Sequence, residues 1–346
     1  MFKKYAITVA LLAATIFESC DKSGKDEIES IDLTKNQIDI LFVSQTAGIQ
    51  QIFAVQDTTF DEVWNASLAY GTHGVLDPSW CVDGRKFVFT DIAIMTSRGL
   101  PFHSNIYIRN MDNSTSDSAD IASALRPVTY SRFWIDSIGA HGTVNIRPDW
   151  SLYTNQVVFI SNRDSVFNVY LASITDSLTG DTLPTLLTNA SDEIGMYCYP
   201  SFSPDGTKIL YTSGKSGSDE IWVMNSDGTN KTRLTHNNAT INFRPRFSPS
   251  ADRISFFSNM WANGNDSLQV YTMDPNGANL DTVTTSGNNY DPSWSPDGNE
   301  IVFAKRGGSS SKPRSYIYII GRNGLNERKL ISGDNKAYYP AWRPLP

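Results

Sequence analysis

The sequence predicts an all-β fold, a six-bladed β-propeller whose blades are four-stranded antiparallel sheets. One observation is a short phrase in which a proline is followed two residues later by a large ring. It occurs at six prolines: Pro78, Pro148, Pro200, Pro245, Pro292 and Pro340. These anchor prolines are 70, 52, 45, 47 and 48 residues apart, and a period in the forties is the length of a propeller blade. A last observation is that the two ends of the chain look like complementary parts of one blade.

The unit that starts at Tyr199 shows how one blade is built. YPSFS is a short first strand, PDGT is a tight turn, and KILYTS, EIWVMN and TRLTH follow as further strands separated by GKSGSD and SDGTNK. Alternating apolar residues between Gly- and Asp-bearing turns are typical of antiparallel strands. In the turn, proline fixes φ and glycine accepts a positive φ. We therefore expect SPDG to be a hairpin device without a catalytic role.

The ring that follows each anchor proline predicts packing between blades. A large ring can fill the space between two neighbouring sheets and bury a large apolar area. The six rings are Trp80, Trp150, Phe202, Phe247, Trp294 and Trp342.

The ends of the chain predict how the ring of blades closes. AYYPAWRPLP at the C-terminal end matches only the first strand of a unit, whereas QIDILFVSQTAGIQQIFAVQ near the N-terminal end matches the second and third strands. Pairing the two segments completes a sixth blade and removes exposed strand edges.

Two units carry a resemblance to a known family. YPSFSPDGTKILYTSGKSGSDEIWVMNSDGTNKTRLT and YDPSWSPDGNEIVFAKRGG resemble the TolB-type, WD-like propeller repeat with its PD-G turn. The resemblance extends from around Asp39 to the C-terminal end and implies the propeller fold. It implies little about function, because that repeat serves many roles.

The first residues predict export. Lys3 and Lys4 precede the apolar run YAITVALLAATIF, which is short for a membrane span and ends at ESC. We expect a signal peptide at 1–19, lipidation of Cys20, a flexible tether at 20–36 and the propeller at 37–346. An ordinary secretory peptide with a chance cysteine is the alternative. The Ser-Cys ending followed by KDE resembles lipoproteins of the Bacteroidetes, which implies a bacterial outer-membrane location facing the periplasm or the cell surface.

Composition limits the partners. The chain has 36 acidic and 29 basic residues, a net charge of −7 and no basic block, so a nucleic-acid partner is not expected. Cys81 and Cys198 belong to units that should not be neighbours, and we expect two buried, unpaired thiols. A monomer that meets the membrane only through its lipid anchor is the expected state.

Departures from the repeat predict a binding surface. In a four-stranded meander, the connection between the second and third strands lies on the same face as the connection to the next blade. All the long departures, at 91–105, 131–145, 258–267 and 305–315, are expected on this loop-rich face, and short turns on the opposite one. The candidate ligand-binding residues there are His103, Phe133, Trp134, His141, Arg147, His236, Arg244, Trp261 and Asp291.

These candidates allow several interpretations. Exposed rings beside polar groups suit a sugar or a peptide, although a loop can also bury its own rings. The arginines and Asp291, together with Asp77 and Arg246, recognise a charged ligand or pair with one another. Histidines around a metal would resemble the oligogalacturonate lyases. The three candidate histidines and His73, however, show no HxH or HxxxH spacing. The sequence therefore predicts no catalytic residue, metal or cofactor. It predicts a non-enzymatic envelope protein that binds a protein or a glycan, with a metal-dependent polysaccharide lyase as the alternative.

Overall fold

The computed structural model describes most of the chain from Ile40 onward. The described residues are 40–46, 49–55, 63–65, 74–81, 84–93, 103–110, 125–129, 133–136, 139–174, 183–236, 241–260, 268–309, 312–330 and 336–344. The predicted signal peptide and tether lie outside them.

Six four-stranded antiparallel sheets form the blades, which confirms the predicted fold. The described part begins with strands of blade 6, β1 (Ile40–Thr46), β2 (Ile49–Val55) and β3 (Val63–Asn65). Blade 1 contains β4 (Gly74–Trp80), β5 (Lys86–Ala93), β6 (His103–Asn110) and β7 (Leu125–Pro127). A two-stranded hairpin of β8 (Phe133–Asp136) and β9 (Gly139–Gly142) follows.

The remaining blades follow in chain order. Blade 2 contains β10 (Asn145–Trp150), β11 (Gln156–Ser161), β12 (Asn168–Ser173) and β13 (Thr185–Leu186), and a short 3-10 helix (Ala190–Asp192) follows it. Blade 3 contains β14 (Ser201–Phe202), β15 (Lys208–Ser213), β16 (Glu220–Asn225) and β17 (Thr232–Arg233). Blade 4 contains β18 (Asn242–Phe247), β19 (Ile254–Ser258), β20 (Gln269–Met273) and β21 (Asp281–Thr282). Blade 5 contains β22 (Asn288–Trp294), β23 (Glu300–Ser309), β24 (Lys312–Gly321) and β25 (Arg328–Lys329), and β26 (Lys336–Trp342) completes blade 6.

The two ends of the propeller pair as the sequence predicts. Blade 6 has the strand order β26-β1-β2-β3. Ile40 lies opposite Trp342, and Gln45 lies opposite Lys336. The last described strand therefore closes the ring of blades against the first.

The SPDG phrases form the predicted hairpin turns. The Ser203 hydroxyl donates a hydrogen bond of 2.5 Å to the Asp205 carboxylate, and the Thr207 amide donates another of 3.1 Å. Gly206 has φ +70°, a conformation that glycine adopts without steric cost. These local bonds turn the chain sharply, so that the first and second strands of the blade meet directly.

The anchor rings pack between blades, as predicted. Trp80 belongs to an apolar cluster that joins blades 6 and 1, and Trp294 to one that joins blades 4 and 5. Each indole also donates a hydrogen bond of 3.2 Å to the first strand of the preceding blade, Trp80 to the Ala341 carbonyl and Trp294 to the Arg246 carbonyl. One residue thus supplies both apolar burial and register between neighbouring sheets.

The two faces of the disc differ from the expectation in one respect. The turns between first and second strands and the connections between third and fourth strands lie on one face, called here the tight-turn face. Three of the latter are long, at 56–62, 111–124 and 174–184. The expectation that every long departure lies on the loop-rich face was therefore wrong, because the alternating strand direction places these connections opposite it.

Two cysteines belong to the described part of the chain. Cys81 and Cys198 are both buried and not joined in a disulfide, as predicted. Among the helices of the described residues, none has the length and apolarity needed to span a bilayer.

Candidate functional site

Each blade contributes the residue before its anchor proline to a ring around the propeller axis. This ring, called the axial ring, consists of Asp77, Arg147, Tyr199, Arg244, Asp291 and Tyr339. In five of the six blades this residue has a positive φ of 53° to 61°, and the strand register shifts at the same place. A bulge of this kind re-aims a side chain away from the sheet. The same strained backbone recurs at this position in several blades. The surrounding sheet therefore imposes this conformation and fixes the direction of these side chains.

Ion pairs link the axial ring across the channel. Arg147 Nη1 donates to both carboxylate oxygens of Asp77, at 2.8 and 2.7 Å. Arg244 lies 3.0 Å from Asp291 Oδ1 and 3.5 Å from Asp77 Oδ1. The contact between Arg244 and Asp77 joins blade 4 to blade 1, which lie on opposite sides of the axis. The ring therefore spans the central channel.

Two tyrosines flank the guanidinium groups. The Arg147 and Arg244 guanidinium carbons lie 4.2 and 4.5 Å from the centroid of the Tyr199 ring. On the far side, Tyr339 lies 4.7 Å from Arg244 and 5.7 Å from Arg147. Cation–π contacts of this kind strengthen when they are removed from water.

Burial sets the electrostatics of the axial ring. Burial lowers the pKa of the Arg147 guanidinium, but the Asp77 carboxylate outweighs it and the net shift is upward. Burial raises the pKa of the Asp291 carboxyl, and Arg244 offsets part of that rise. Burial also raises the pKa of the Tyr199 hydroxyl. With two arginines facing two aspartates, the ionised ring is neutral and its charges are matched within the protein.

A second layer of polar contacts supports the ring on its tight-turn side. The Asp149 carboxylate accepts hydrogen bonds of 2.9 Å from the Ser79 hydroxyl and the Phe202 amide. It also forms an ion pair with Arg246. One carboxylate therefore ties together blades 1, 2, 3 and 4.

A cavity of about 270 Å³ opens below this layer, on the tight-turn face. Residues from all six blades line it, including the six anchor rings, with Arg244 at its base. The sequence indicates packing for these rings, and the structure shows that they also form the wall of a cavity.

Four of the predicted binding residues lie in one region of the loop-rich face. His103 begins β6, Phe133 and Trp134 lie in β8, and His141 lies in β9 opposite Trp134. The base of the hairpin is fixed to blade 1, because the Ser104 amide donates to the Thr143 carbonyl at 3.3 Å. The structure brings these residues together around one hairpin.

The other predicted residues have different positions. Arg147, Arg244 and Asp291 belong to the axial ring, where they pair with one another or with Asp77. His236 is exposed beyond β17, at the connection from blade 3 to blade 4. Trp261, His73 and Cys20 lie outside the described residues. Within the described part of the chain, no group of three or more His, Cys, Asp or Glu side chains is arranged to hold a metal.

The sequence reasoning missed two members of the axial ring, Tyr199 and Tyr339. Their signal is present in the sequence, since each directly precedes an anchor proline as Asp77 and Arg147 do. The residue that precedes the anchor proline in each of the six units identifies the whole axial ring.

Comparisons with known proteins agree with this geometry. The model of the TolB β-propeller domain (PD40) family matches residues 133–346, which is more than half of the chain. An uncharacterized protein of Agrobacterium fabrum, Atu1656, is 31% identical over 109 residues, which span 32% of this chain and 34% of that protein. The matched stretch is thus about a third of that relative's length.

Solved structures show the same fold over most of the chain. TolB from Acinetobacter baumannii superposes with a TM-score of 0.68 at 19% identity, covering 89% of this chain and 67% of that one. A putative TolB from Agrobacterium tumefaciens gives 0.57 at 18% identity, covering 90% and 100%. One chain of a nidogen/laminin complex gives 0.62 at 9% identity, covering 88% and 98%. With the family model, the six blades and the PD-G turns in agreement, this chain belongs to the TolB β-propeller family.

Proposed function

We propose that this protein is a non-enzymatic, lipid-anchored propeller of a bacterial cell envelope that binds a protein or glycan partner through its loop-rich face. It acts as a monomer and needs no cofactor. The anchor is Cys20, at the outer membrane, and the partner is a component of the envelope.

The β8–β9 hairpin is the observation that carries this proposal. It is a sheet outside the blades within the described chain, and it stands on the loop-rich face between blades 1 and 2. Its base is bonded to blade 1 through Ser104, whose hydroxyl also donates to the Asn145 carbonyl at 2.9 Å. Its two strands are already paired, and a preformed element loses less entropy on binding than an unordered loop, which favours recognition.

The axial ring supports a binding role on that face. Its arginines and aspartates are already paired, so it forms a neutral floor beneath the mouth of the channel. A partner bound over the channel on the loop-rich face would therefore meet no uncompensated charge from this floor.

The position of β1 supports the orientation. β1 begins at Ile40 opposite Trp342, and Trp342 lines the cavity on the tight-turn face. The tether before Ile40 therefore joins the propeller at that face. With Cys20 in the membrane, the loop-rich face would point away from the bilayer, where a partner can reach it.

Site-specific crosslinking in intact cells tests the binding face. A photoreactive phenylalanine analogue at position 134 should give a discrete adduct with one partner, and the Phe133→Ala change should reduce its yield. The matched control is the same analogue at Tyr153, which is 80% exposed on the tight-turn face. Purified protein on a glycan array covers a sugar partner. Equal adducts from both positions, or no adduct from position 134 together with an array that shows no binding, would refute the proposed face.

Fractionation tests the anchor. Cys20→Ser should remove labelling by a fatty-acid analogue and release the protein from the membrane fraction, whereas Cys81→Ser should leave both unchanged. A Cys20→Ser protein that stays labelled and membrane-bound would exclude lipidation at this position.

A further inference from the structure

One buried position in each blade is apolar in five blades and an arginine in the sixth. It is the third-strand residue that lies opposite the second-strand partner of the anchor ring, as in the row Trp80, Phe87 and Arg109 of blade 1. The corresponding residues of blades 2 to 6 are Ala172, Met224, Met273, Ile320 and Val55.

Arg109 is as inaccessible as the residues it replaces. It is 4% exposed, whereas the five apolar residues are between 0% and 4% exposed. Within the part of the chain that the structure describes, its Nε and Nη1 atoms have no hydrogen-bond partner. Burial lowers the pKa of the guanidinium to about 10.

Among the described residues no charged group offsets the burial of Arg109, since burial is the only cause of its pKa shift. Arg109 lies on the face of blade 1 that carries Phe87 and Phe89, which pack against blade 6. The cluster at this blade 6–blade 1 seam consists of apolar side chains: Leu41, Val43, Ile52, Ala54, Val75, Trp80, Phe87 and Phe89. A buried cation without a counter-charge is costly, and a buried donor without a partner calls for an unseen one.

The location limits what that partner is. Arg109 is the penultimate residue of β6, so the guanidinium lies at the end of the seam that meets the tight-turn face. Arginine presents its N–H groups in a planar fork that matches a carboxylate. Because Arg109 is only 4% exposed, a ligand that reaches its guanidinium must be small.

We propose that Arg109 is the recognition group of a binding site for a small carboxylate ligand at the tight-turn end of the blade 6–blade 1 seam. The carboxylate accepts hydrogen bonds from the Arg109 guanidinium and supplies the missing counter-charge. This site is separate from the loop-rich face and does not depend on the function proposed for that face.

Thermal unfolding of the full-length protein with added carboxylate tests the site. Sodium acetate and sodium succinate are titrated against sodium chloride at constant ionic strength. The wild type should show a saturable rise in Tm, about 5 °C when the anion reaches ~100 times its dissociation constant. Arg109→Met, which installs the residue of blades 3 and 4, should fold at least as stably in chloride and lose the rise.

Two further variants make the result specific. Arg109→Lys keeps the charge without the fork and should show a rise at least several-fold weaker in apparent affinity. Arg306→Met removes an exposed arginine elsewhere and should respond like the wild type. A wild type that ignores both carboxylates, or an Arg109→Met protein that responds equally, would overturn the proposal.

A last arm separates a ligand from the chain's own carboxylates. The connection after Arg109 contains Asp112, Asp117 and Asp120. Replacing all three by asparagine should leave the response to carboxylate in place. If that triple variant loses stability while the wild type ignores added carboxylate, the charge is met within the chain and there is no ligand site.

Discussion

Replacing Asp77 by asparagine should destabilise the propeller more than any change on its surface. Asp77 is 2% exposed and accepts two hydrogen bonds from Arg147 while also facing Arg244. Asparagine keeps the size of the side chain but leaves two buried guanidinium groups to share Asp291. Removing one partner of a buried ion pair costs about 3–5 kcal/mol, and hydrogen bonds to charged groups contribute about 1.5–3 kcal/mol each. We therefore expect a loss of about 3–5 kcal/mol in the free energy of unfolding.

Urea denaturation followed by tryptophan fluorescence measures this loss. The matched control is Asp281→Asn, which breaks the pair with Arg253 at a carboxylate that is 71% exposed and should cost less than about 1 kcal/mol. The double variant Asp77→Asn with Arg147→Met removes both members of this ion pair, so Arg147 no longer remains as an unpaired buried charge. The two changes together should cost at least about 2 kcal/mol less than the sum of the single changes.

Two results would refute the reasoning. If Asp77→Asn costs no more than Asp281→Asn, the axial ring does not hold the blades together. If the double change is additive, Arg147 and Asp77 are not coupled, and the short distances between them carry no net stabilisation.

Three further outcomes follow from other parts of the structure. Trp342→Ala should cost about 2–4 kcal/mol and speed hydrogen exchange in β1 more than in blade 3, and equal exchange in both would argue against local opening at the closing strand. The Ser250 and Ser248 hydroxyls and Arg322 lower the pKa of Asp252 through hydrogen bonds. Because this pKa is lower in the folded than in the unfolded protein, the carboxylate stabilises the fold fully above the unfolded-state pKa. That stabilisation is lost as pH falls below about 4. The urea midpoint should therefore drop in that range, and less so for Asp252→Asn. Burial raises the pKa of the Cys198 thiol to about 12, and Cys81 is 4% exposed. Neither thiol should therefore react with a thiol reagent at pH 8 until the protein is unfolded, and labelling of either in the native protein would contradict their burial.

Local chemistry explains why the fold follows from the sequence. The PD-G turns, the anchor prolines and the alternating strands each act within one unit. Their pattern can therefore be recognised in the sequence without knowledge of distant contacts. Closure was equally legible, because the N- and C-terminal segments matched different strands of the same unit. The pairing of β1 with β26 confirms that interpretation.

The sequence predicts the candidate site only in part, because the site depends on the direction in which its side chains point. Sequence reasoning gave Arg147, Arg244 and Asp291 a common location but left open whether they bind a ligand or pair. The bulges that turn them toward the axis, with φ between 53° and 61°, are set by the paired strand and not by the residue itself. The sequence analysis assigns 131–145 to a long departure on the loop-rich face and does not predict the β8–β9 hairpin within it.

Arg109 shows a different limit. NIYIRN in blade 1 aligns with EIWVMN in blade 3 and YIYIIG in blade 5, so the exception was visible in the letters. Its meaning was not, because an arginine near the end of a strand is usually exposed. Burial and the missing hydrogen-bond partners distinguish it.

The closing strand also determines when the propeller can be completed during biosynthesis. Residues 336–342 supply the partner of β1, which is made almost 300 residues earlier. During synthesis the unpaired edge of β1 stays available to other strands, and such edges promote aggregation. Blades 1 to 5 can form as each is made, but the circle is completed only after this last strand has emerged. Folding of the propeller should therefore depend on protection of that edge until the last strand has been made.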